Sequence, residues 1–257
     1  MILGVSLKLY LDVARTREWA RVVATIARGH AAVRSGAVRL FVLPSLPALP
    51  AVRDVLALTG VEVGAQDLHS VDRGPYTGAV SGTDLHDVGC RLVEVGHAER
   101  RHVFGETDEV VRDKLAAAFR NGLTPVLCVG EPVETTAEAA AAVCIDQLET
   151  ALAGSSEVID GAELIVAYEP EWAIGAASSA SPEHVRAVVG ELRRRLAGID
   201  GLRSASVIYG GSAQRGTLAS LGDGVDGLFL GRFAHDPAEL ARIIDEAAQV
   251  HAAAPIR

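Results

Sequence analysis

Eight short apolar runs, each followed by a longer segment of helical periodicity, predict a closed (β/α)₈ barrel spanning residues 1–257 as one domain. The runs are β-branched or leucine-rich and mostly continuous, as parallel strands buried on both faces must be. No linker, low-complexity tract or long repeat interrupts the alternation, and 257 residues is a typical length for one such barrel. An open doubly wound sheet is the alternative architecture, but no Gly-x-Gly-x-x-Gly follows the first run.

In chain order the predicted strands are Ile2–Leu9, Val38–Leu43, Val61–Ala65, Leu92–Val95, Pro125–Val129, Leu164–Tyr168, Ala205–Tyr209 and Gly227–Leu230. Helical patterns lie between them, among them Trp19–Ala31, Asp108–Arg120, Ala137–Leu152, Pro182–Leu196 and Pro237–Val250. Thr107 is placed to cap one helix, with acidic residues in its first turn. Ser181-Pro182-Glu183 opens another with proline at the first helical position.

A hydrophobic fraction of 49% excludes disorder, and no apolar stretch approaches the length of a membrane span. The N-terminus lacks a basic leader with a cleavage site, so a soluble cytoplasmic protein is expected. The net charge of −9 argues against nucleic acid or an anionic membrane as partner, though not against a small anion held by a local positive cluster. Cys90, Cys128 and Cys144 show no metal-ligand spacing and read as reduced, mostly buried thiols. The eight histidines form no HExxH pattern; no metal or cofactor is expected. The 24 basic residues include only two lysines, Lys8 and Lys114. Lys8 falls in an apolar run and needs a reason, whereas Lys114 reads as part of an ordinary charged helix face.

Chemistry in such barrels gathers at the C-terminal ends of the strands. Those ends carry Lys8, Gln66, His97, Glu169, the turn Gly210-Gly211-Ser212, and Gly231. A carboxylate and a histidine facing one pocket suit enolisation, in which a base takes a proton α to a carbonyl while a donor polarises the oxygen. Lys8 adds positive charge where an enediolate and a phosphate would sit, and the glycine turns can aim backbone N–H groups at phosphate oxygens. The segment from Glu169 to Ser181, with a Pro/Trp end and a small-residue stretch, has the character of a lid.

Longer motifs then resemble the triosephosphate isomerase family. They are Val95-Gly96-His97-Ala98-Glu99-Arg100-Arg101, Ala167-Tyr168-Glu169-Pro170-Glu171-Trp172-Ala173-Ile174-Gly175 and Tyr209-Gly210-Gly211-Ser212. Ala65-Gln66-Asp67, Gly74-Pro75-Tyr76-Thr77-Gly78 and Phe104-Gly105-Glu106-Thr107 add to them, in the family's order along nearly the whole chain. The resemblance implies the TIM barrel, Glu169 as proton-shuttling base, His97 as neutral electrophile and Lys8 as the lysine of the first barrel strand. It further implies Glu99 as a supporting acid, phosphate binding by the backbone N–H groups of Gly175, Ser212 and Gly231, and a homodimer through Tyr76, Thr77 and Gly78.

The departures from the family pattern carry their own message. Ser6-Leu7-Lys8 stands for Asn-Trp-Lys, Ala98 for a serine, Glu171 for a valine in the lid, Ala79 for a glutamate, and Gly231-Arg232 for Gly-Gly. Ser6 and Arg232 resemble the sister group of tetrulose-phosphate isomerases, which interconvert L-erythrulose 1-phosphate and D-erythrulose 4-phosphate. This implies a cofactor-independent isomerase of a small phosphorylated sugar, with Ser6 and Arg232 in the substrate site. A glycolytic triosephosphate isomerase, a non-catalytic sugar-phosphate-binding barrel and a Schiff-base aldolase using Lys8 stay open as alternatives.

Overall fold

The computed structural model describes residues 1–155, 157–175 and 179–253. Eight strands, β1 (Ile2–Ser6), β2 (Arg39–Leu43), β3 (Glu62–Ala65), β4 (Leu92–Val95), β5 (Thr124–Val129), β6 (Glu163–Tyr168), β7 (Ser204–Tyr209) and β8 (Gly227–Leu230), pair in parallel with their sequence neighbours. β8 pairs back onto β1, Ile2 lying opposite Gly227, so the sheet closes. The strand boundaries agree with the sequence expectation to within a residue, except in β1.

The period of two along each strand divides the barrel into two apolar layers. Ile2, Phe41, Leu43, Leu92, Val126, Cys128, Ile165, Ala167, Ile208 and Phe229 fill the interior. The alternate residues, such as Leu3, Val5, Val42, Val93, Val166 and Leu228, pack against the surrounding helices. Gly4 lets the interior close, because a Cβ there would come within 2.2 Å of the Phe41 ring. All three cysteines are free and buried, as expected.

Helices Asp108–Arg120, Ala137–Leu152 and Pro182–Leu196 have the expected bounds. The Thr107 hydroxyl accepts from the Val110 N–H, and the Ser181 hydroxyl from the His184 N–H at 3.2 Å. The first helix begins earlier than its apolar periodicity, at Val13, because Asp12 caps it by accepting from the Arg15 N–H at 2.8 Å.

Two lysine readings need correction. β1 stops at Ser6 rather than running on to Leu9, and Lys8 lies beyond it with φ of +48°. That left-handed conformation is costly for a residue with a Cβ, by roughly 1 kcal/mol or more, and must be held by its surroundings. Gln66 holds it, donating to the carbonyls of Lys8 at 3.2 Å and Leu43 at 3.0 Å. Lys8 therefore projects from a turn, not from an apolar strand.

Lys114 is the second correction. Its side chain is buried and bonded to both Asp67 and Glu106, while Arg100 bridges the same two carboxylates. The helical periodicity placed Lys114 on a face without revealing that the turn carrying Glu106 folds over that face. Breaking such a buried cluster leaves carboxylates uncompensated, at a cost of about 3–5 kcal/mol. Arg100 remains in place to share the charge, so Lys114→Ala is expected to lose about 3 kcal/mol of unfolding free energy in urea titration. A loss under about 1 kcal/mol would restore the reading of Lys114 as a solvated cation.

Candidate active site

The C-terminal ends of β1 to β4 surround a cavity of about 520 Å³. Ser6, Lys8, Gln66, Glu94, His97 and Glu99 line its inner part, and Tyr10, Leu46, Arg100 and Phe104 its mouth. Glu169 meets His97 at its edge, with Oε2 at 3.6 Å from His97 Nε2. The structure thus brings together Ser6, Lys8, His97, Glu99 and Glu169, five residues singled out from the sequence.

Glu169 extends the inward row Ile165, Ala167 of β6 by one further step. Its backbone N–H donates to the Val129 carbonyl of β5 at 2.8 Å, so the position is held by ladder geometry. Two glycines make room for it. A Cβ on Gly130 would fall 1.9 Å from the Glu169 carbonyl oxygen, and one on Gly210 would fall 2.4 Å from Oε1. Oε1 accepts from the Gly211 N–H at 3.3 Å, while Oε2 has no hydrogen-bond partner among the described residues. One carboxylate oxygen is therefore fixed by backbone, and the other faces His97 without a hydrogen bond.

His97 caps the short helix Ala98–His102: its Nδ1 accepts from the Glu99 N–H at 3.0 Å. A backbone N–H can only donate, so Nδ1 carries no proton and the ring hydrogen belongs on Nε2. The Lys8 ammonium lies 3.3 Å from Nε2, but it too can only donate; this contact is one of charge, and the ammonium's hydrogen bond goes to Glu99 Oε1 at 2.7 Å. Nε2–H is thereby presented toward Glu169 as a donor for a substrate oxygen. Burial alone would lower the Lys8 pKa, but Glu99, Glu169 and Glu94 outweigh it and raise the pKa, so the cation persists.

The residues expected to hold phosphate sit further round the rim and are not among those lining the cavity. The Ser212 hydroxyl donates to the Ala173 carbonyl at 2.6 Å, tying the turn after β7 to the first part of the lid segment. Gly175 has φ of +70°, and a Cβ there would lie 3.9 Å from an Arg232 guanidinium nitrogen. That guanidinium is 5.8 Å from the Tyr10 ring centroid, so Arg232 spans from the cavity mouth to the lid segment. Gly231 begins the turn after β8, with open space where a side chain would be. Residues 176–178 of the lid expectation lie outside the described residues. Its near end is anchored: Trp172 Nε1 donates to Glu131 Oε1 at 2.8 Å, and Glu171 Oε2 lies 2.6 Å from His102 Nε2. The Tyr76, Thr77 and Gly78 segment is exposed at the surface, with the Tyr76 ring centroid 4.4 Å from that of His69 and the two rings tilted by 40°.

The charged cavity residue that the sequence reading missed is Glu94. Glu94 of β4 is 4% exposed, and the Ser6 hydroxyl donates to its Oε2 at 2.9 Å. Burial, first of all, pushes its pKa up to about 7, with Glu169 adding to the rise and His97, Ser6 and Lys8 opposing it. The signal was a lone acid at an inward position of Leu92-Val93-Glu94-Val95.

A carboxyl whose folded pKa lies above its unfolded value lowers stability as pH climbs from about 4.5 toward about 7, because the unfolded chain sheds the proton first. Above that window the deficit is constant, on the order of 3 kcal/mol for a shift of this size. Glu94→Gln has no proton to lose. Its stability relative to wild type should therefore rise between pH 4.5 and pH 7, as read by urea unfolding at a series of pH values. A pH-independent difference would mean that Glu94 is ionised as readily in the fold as in the unfolded chain.

The family model described as triosephosphate isomerase matches residues 1–247. The L-erythrulose-1-phosphate isomerase of Pectobacterium atrosepticum is 50% identical over 247 residues, covering 96% of this chain and 95% of that one. The protein of the same name from Rhizobium etli is 42% identical over 209 residues, 78% of this chain and 76% of that one. A triosephosphate isomerase of Synechococcus is 36% identical over 241 residues, 93% of each chain. With a closed parallel barrel and a glutamate facing a histidine at its rim, the chain is an isomerase that belongs to the triosephosphate isomerase family.

Proposed function

We propose that the protein interconverts L-erythrulose 1-phosphate and D-erythrulose 4-phosphate through an enediolate, with Glu169 as base and His97 as neutral electrophile. The observation that carries the chemistry is the 3.6 Å approach of Glu169 Oε2 to a His97 Nε2 whose proton is dictated by the Glu99 N–H. A substrate carbonyl oxygen seated at Nε2 would be polarised while Oε2 takes the proton from the adjacent carbon. Returning that proton to the former carbonyl carbon moves the ketone one position along the chain. Lys8, held by Glu99, offsets the negative charge of the enediolate, and no cofactor enters the cycle. Phosphate is assigned to the N–H groups of Gly175, Ser212 and Gly231, with Arg232 beside them. In the same reading the exposed Tyr76–Gly78 segment belongs to a homodimer interface.

The choice of a four-carbon substrate is supported by relatives that carry that activity in their names, those of Pectobacterium and Rhizobium among them, and by Ser6 and Arg232. L-Erythrulose 1-phosphate is dihydroxyacetone phosphate with a hydroxymethyl group added at the end remote from phosphate. A cavity of about 520 Å³ lined by Ser6 rather than by Gly175 or Gly231 supports room for that group.

Glu169→Gln keeps the shape but cannot accept the proton, and should lower kcat by about 10²–10⁴ with a far smaller change in KM. Gly210→Ala should reproduce much of that loss without unfolding the barrel. The three atoms nearest its methyl group would all belong to the movable Glu169 side chain, so the carboxylate shifts while the strands stay. Steady-state kinetics with a thermal melt measures both effects, and a Gly210→Ala enzyme within about threefold of wild type would show that Glu169 works from another position.

The substrate assignment is tested by kcat/KM for L-erythrulose 1-phosphate and dihydroxyacetone phosphate side by side. The tetrulose phosphate should lead by roughly 10–200-fold, with weak triose activity remaining. Near-diffusion-limited turnover of the triose would instead make this a glycolytic enzyme.

A further inference from the structure

Glu94 has no part in proton transfer as described, yet it is the least expected residue of the barrel interior. Its inward neighbours are Leu92 on the same strand and Val126 opposite it on β5. Placing an ionisable group there is costly, and burial shifts it accordingly. A hydrophobic residue of similar volume would avoid that cost. Local rules of this kind are broken in native folds chiefly where function demands it.

The placement indicates the use. Glu94 and Ser6 lie together on the inner wall of the cavity, and Glu94 Oε1 is 4.0 Å from His97 Nε2. If the reacting carbons sit between Glu169 and His97, and phosphate lies toward Gly175 and Arg232, the far end of the substrate points at this pair. A triose ends at its second reacting carbon. A tetrulose phosphate continues by one carbon and one hydroxyl, which must find a hydrogen-bond partner in a largely apolar barrel. Ser6 donates to Oε2 and so fixes the orientation of the carboxyl, leaving Oε1 on the His97 side to meet that hydroxyl. A serine at position 6 is short enough both to bind Glu94 and to leave the space open.

We propose that Glu94, oriented by Ser6, is the specificity-determining residue that binds the terminal hydroxyl of the four-carbon ketose phosphate. The inference rests on the tetrulose-phosphate reading of the site. It assigns selectivity to a single buried hydrogen bond in addition to the size of the pocket. Sites built to bind a hydroxyl reject analogues lacking it more strongly than pockets that only fit a methylene.

The test uses the whole enzyme with three substrates: L-erythrulose 1-phosphate, its 4-deoxy analogue and dihydroxyacetone phosphate. Glu94→Leu keeps the volume and removes the hydrogen bond. It should lower the ratio of kcat/KM for L-erythrulose 1-phosphate to that for the 4-deoxy analogue by about 10–100-fold, and Glu94→Gln should restore much of it. The ratio to dihydroxyacetone phosphate should fall in parallel. If Glu94→Leu does not fold, Glu94→Gln and Ser6→Ala are read on the same ratios, and each should lower them by a smaller factor. Equal loss on all three substrates, or none on any, overturns the proposal, since Glu94 would then act on His97 or on the fold alone. A wild-type preference for dihydroxyacetone phosphate overturns the tetrulose reading and this inference with it. A wild-type tetrulose preference that survives Glu94→Leu overturns this inference only.

Discussion

The geometry of the site depends on a close approach between strands that only glycine allows. Glu169 stands between β5 and β7, and on both sides the chain gives way: Gly130 meets its carbonyl and Gly210 its carboxylate at distances no Cβ would tolerate. Because the strands are hydrogen-bonded neighbours, a side chain at Gly130 would have to break the ladder that closes the barrel, and with glycine at 210 nothing pushes the carboxylate aside. The carboxylate therefore has one place to be, across from His97. His97 is fixed by an equally rigid device, a backbone N–H at the start of a helix that accepts only one tautomer of the ring. Two groups whose relative position matters to an ångström are thus held by main chain rather than by flexible side chains, which is what preorganised chemistry requires.

Most of the architecture was legible in the sequence because parallel strands and their helices are local patterns. A continuous apolar run or an i, i+3, i+4 stripe needs no knowledge of its partner, and three helices have the expected bounds, two of them with a start signal read at Thr107 and Ser181. What escaped depended on contacts distant in sequence. Lys114 looked solvated because Asp67 and Glu106 reach it from 47 and eight positions away, across elements whose packing no periodicity reveals. Lys8 was read as part of a strand because its neighbours Leu7 and Leu9 are apolar, yet Leu9 is 87% exposed and the chain has already turned. Its conformation is set by Gln66, on another strand end. At the site, the pairing of Glu169 with His97 could be reached through long motifs. Glu94 belongs to no such motif and was passed over, although an acid inside Leu92-Val93-Glu94-Val95 broke the apolar run in plain view.

Three buried carboxylates in one barrel invite the question of why each is there, and the donors around them separate the cases. Glu131 Oε1 takes hydrogen bonds from Trp172 and the Tyr168 hydroxyl, with His184 at 3.3 Å. Its work is mechanical: it pins the near end of the lid segment to the end of β5 and to the helix that follows. All of these contacts fall on Oε1; Oε2 has no hydrogen-bond partner among the described residues. Glu169 has one weak backbone donor on Oε1 and none on Oε2, and unlike Glu131 its partnerless oxygen faces His97, at 3.6 Å from Nε2. Glu94 stands between these extremes, with a single hydroxyl donor that orients it without saturating it.

The same ordering accounts for the electrostatics around Lys8. Three carboxylates act on its ammonium, yet only Glu99, half-exposed, holds it directly by a hydrogen bond. Water at Glu99 screens that bond, so the ammonium stays charged without being drawn onto Glu169 or Glu94. A stronger, fully buried pair would have consumed the positive charge that an arriving phosphorylated sugar needs. A free lysine would have swung into solvent. The left-handed turn enforced by Gln66 and the screened contact with Glu99 together keep the cation beside His97, 3.3 Å from Nε2. In a chain that uses arginine almost everywhere else, a compact point charge at this one place is the choice that leaves room for both the imidazole and a ligand.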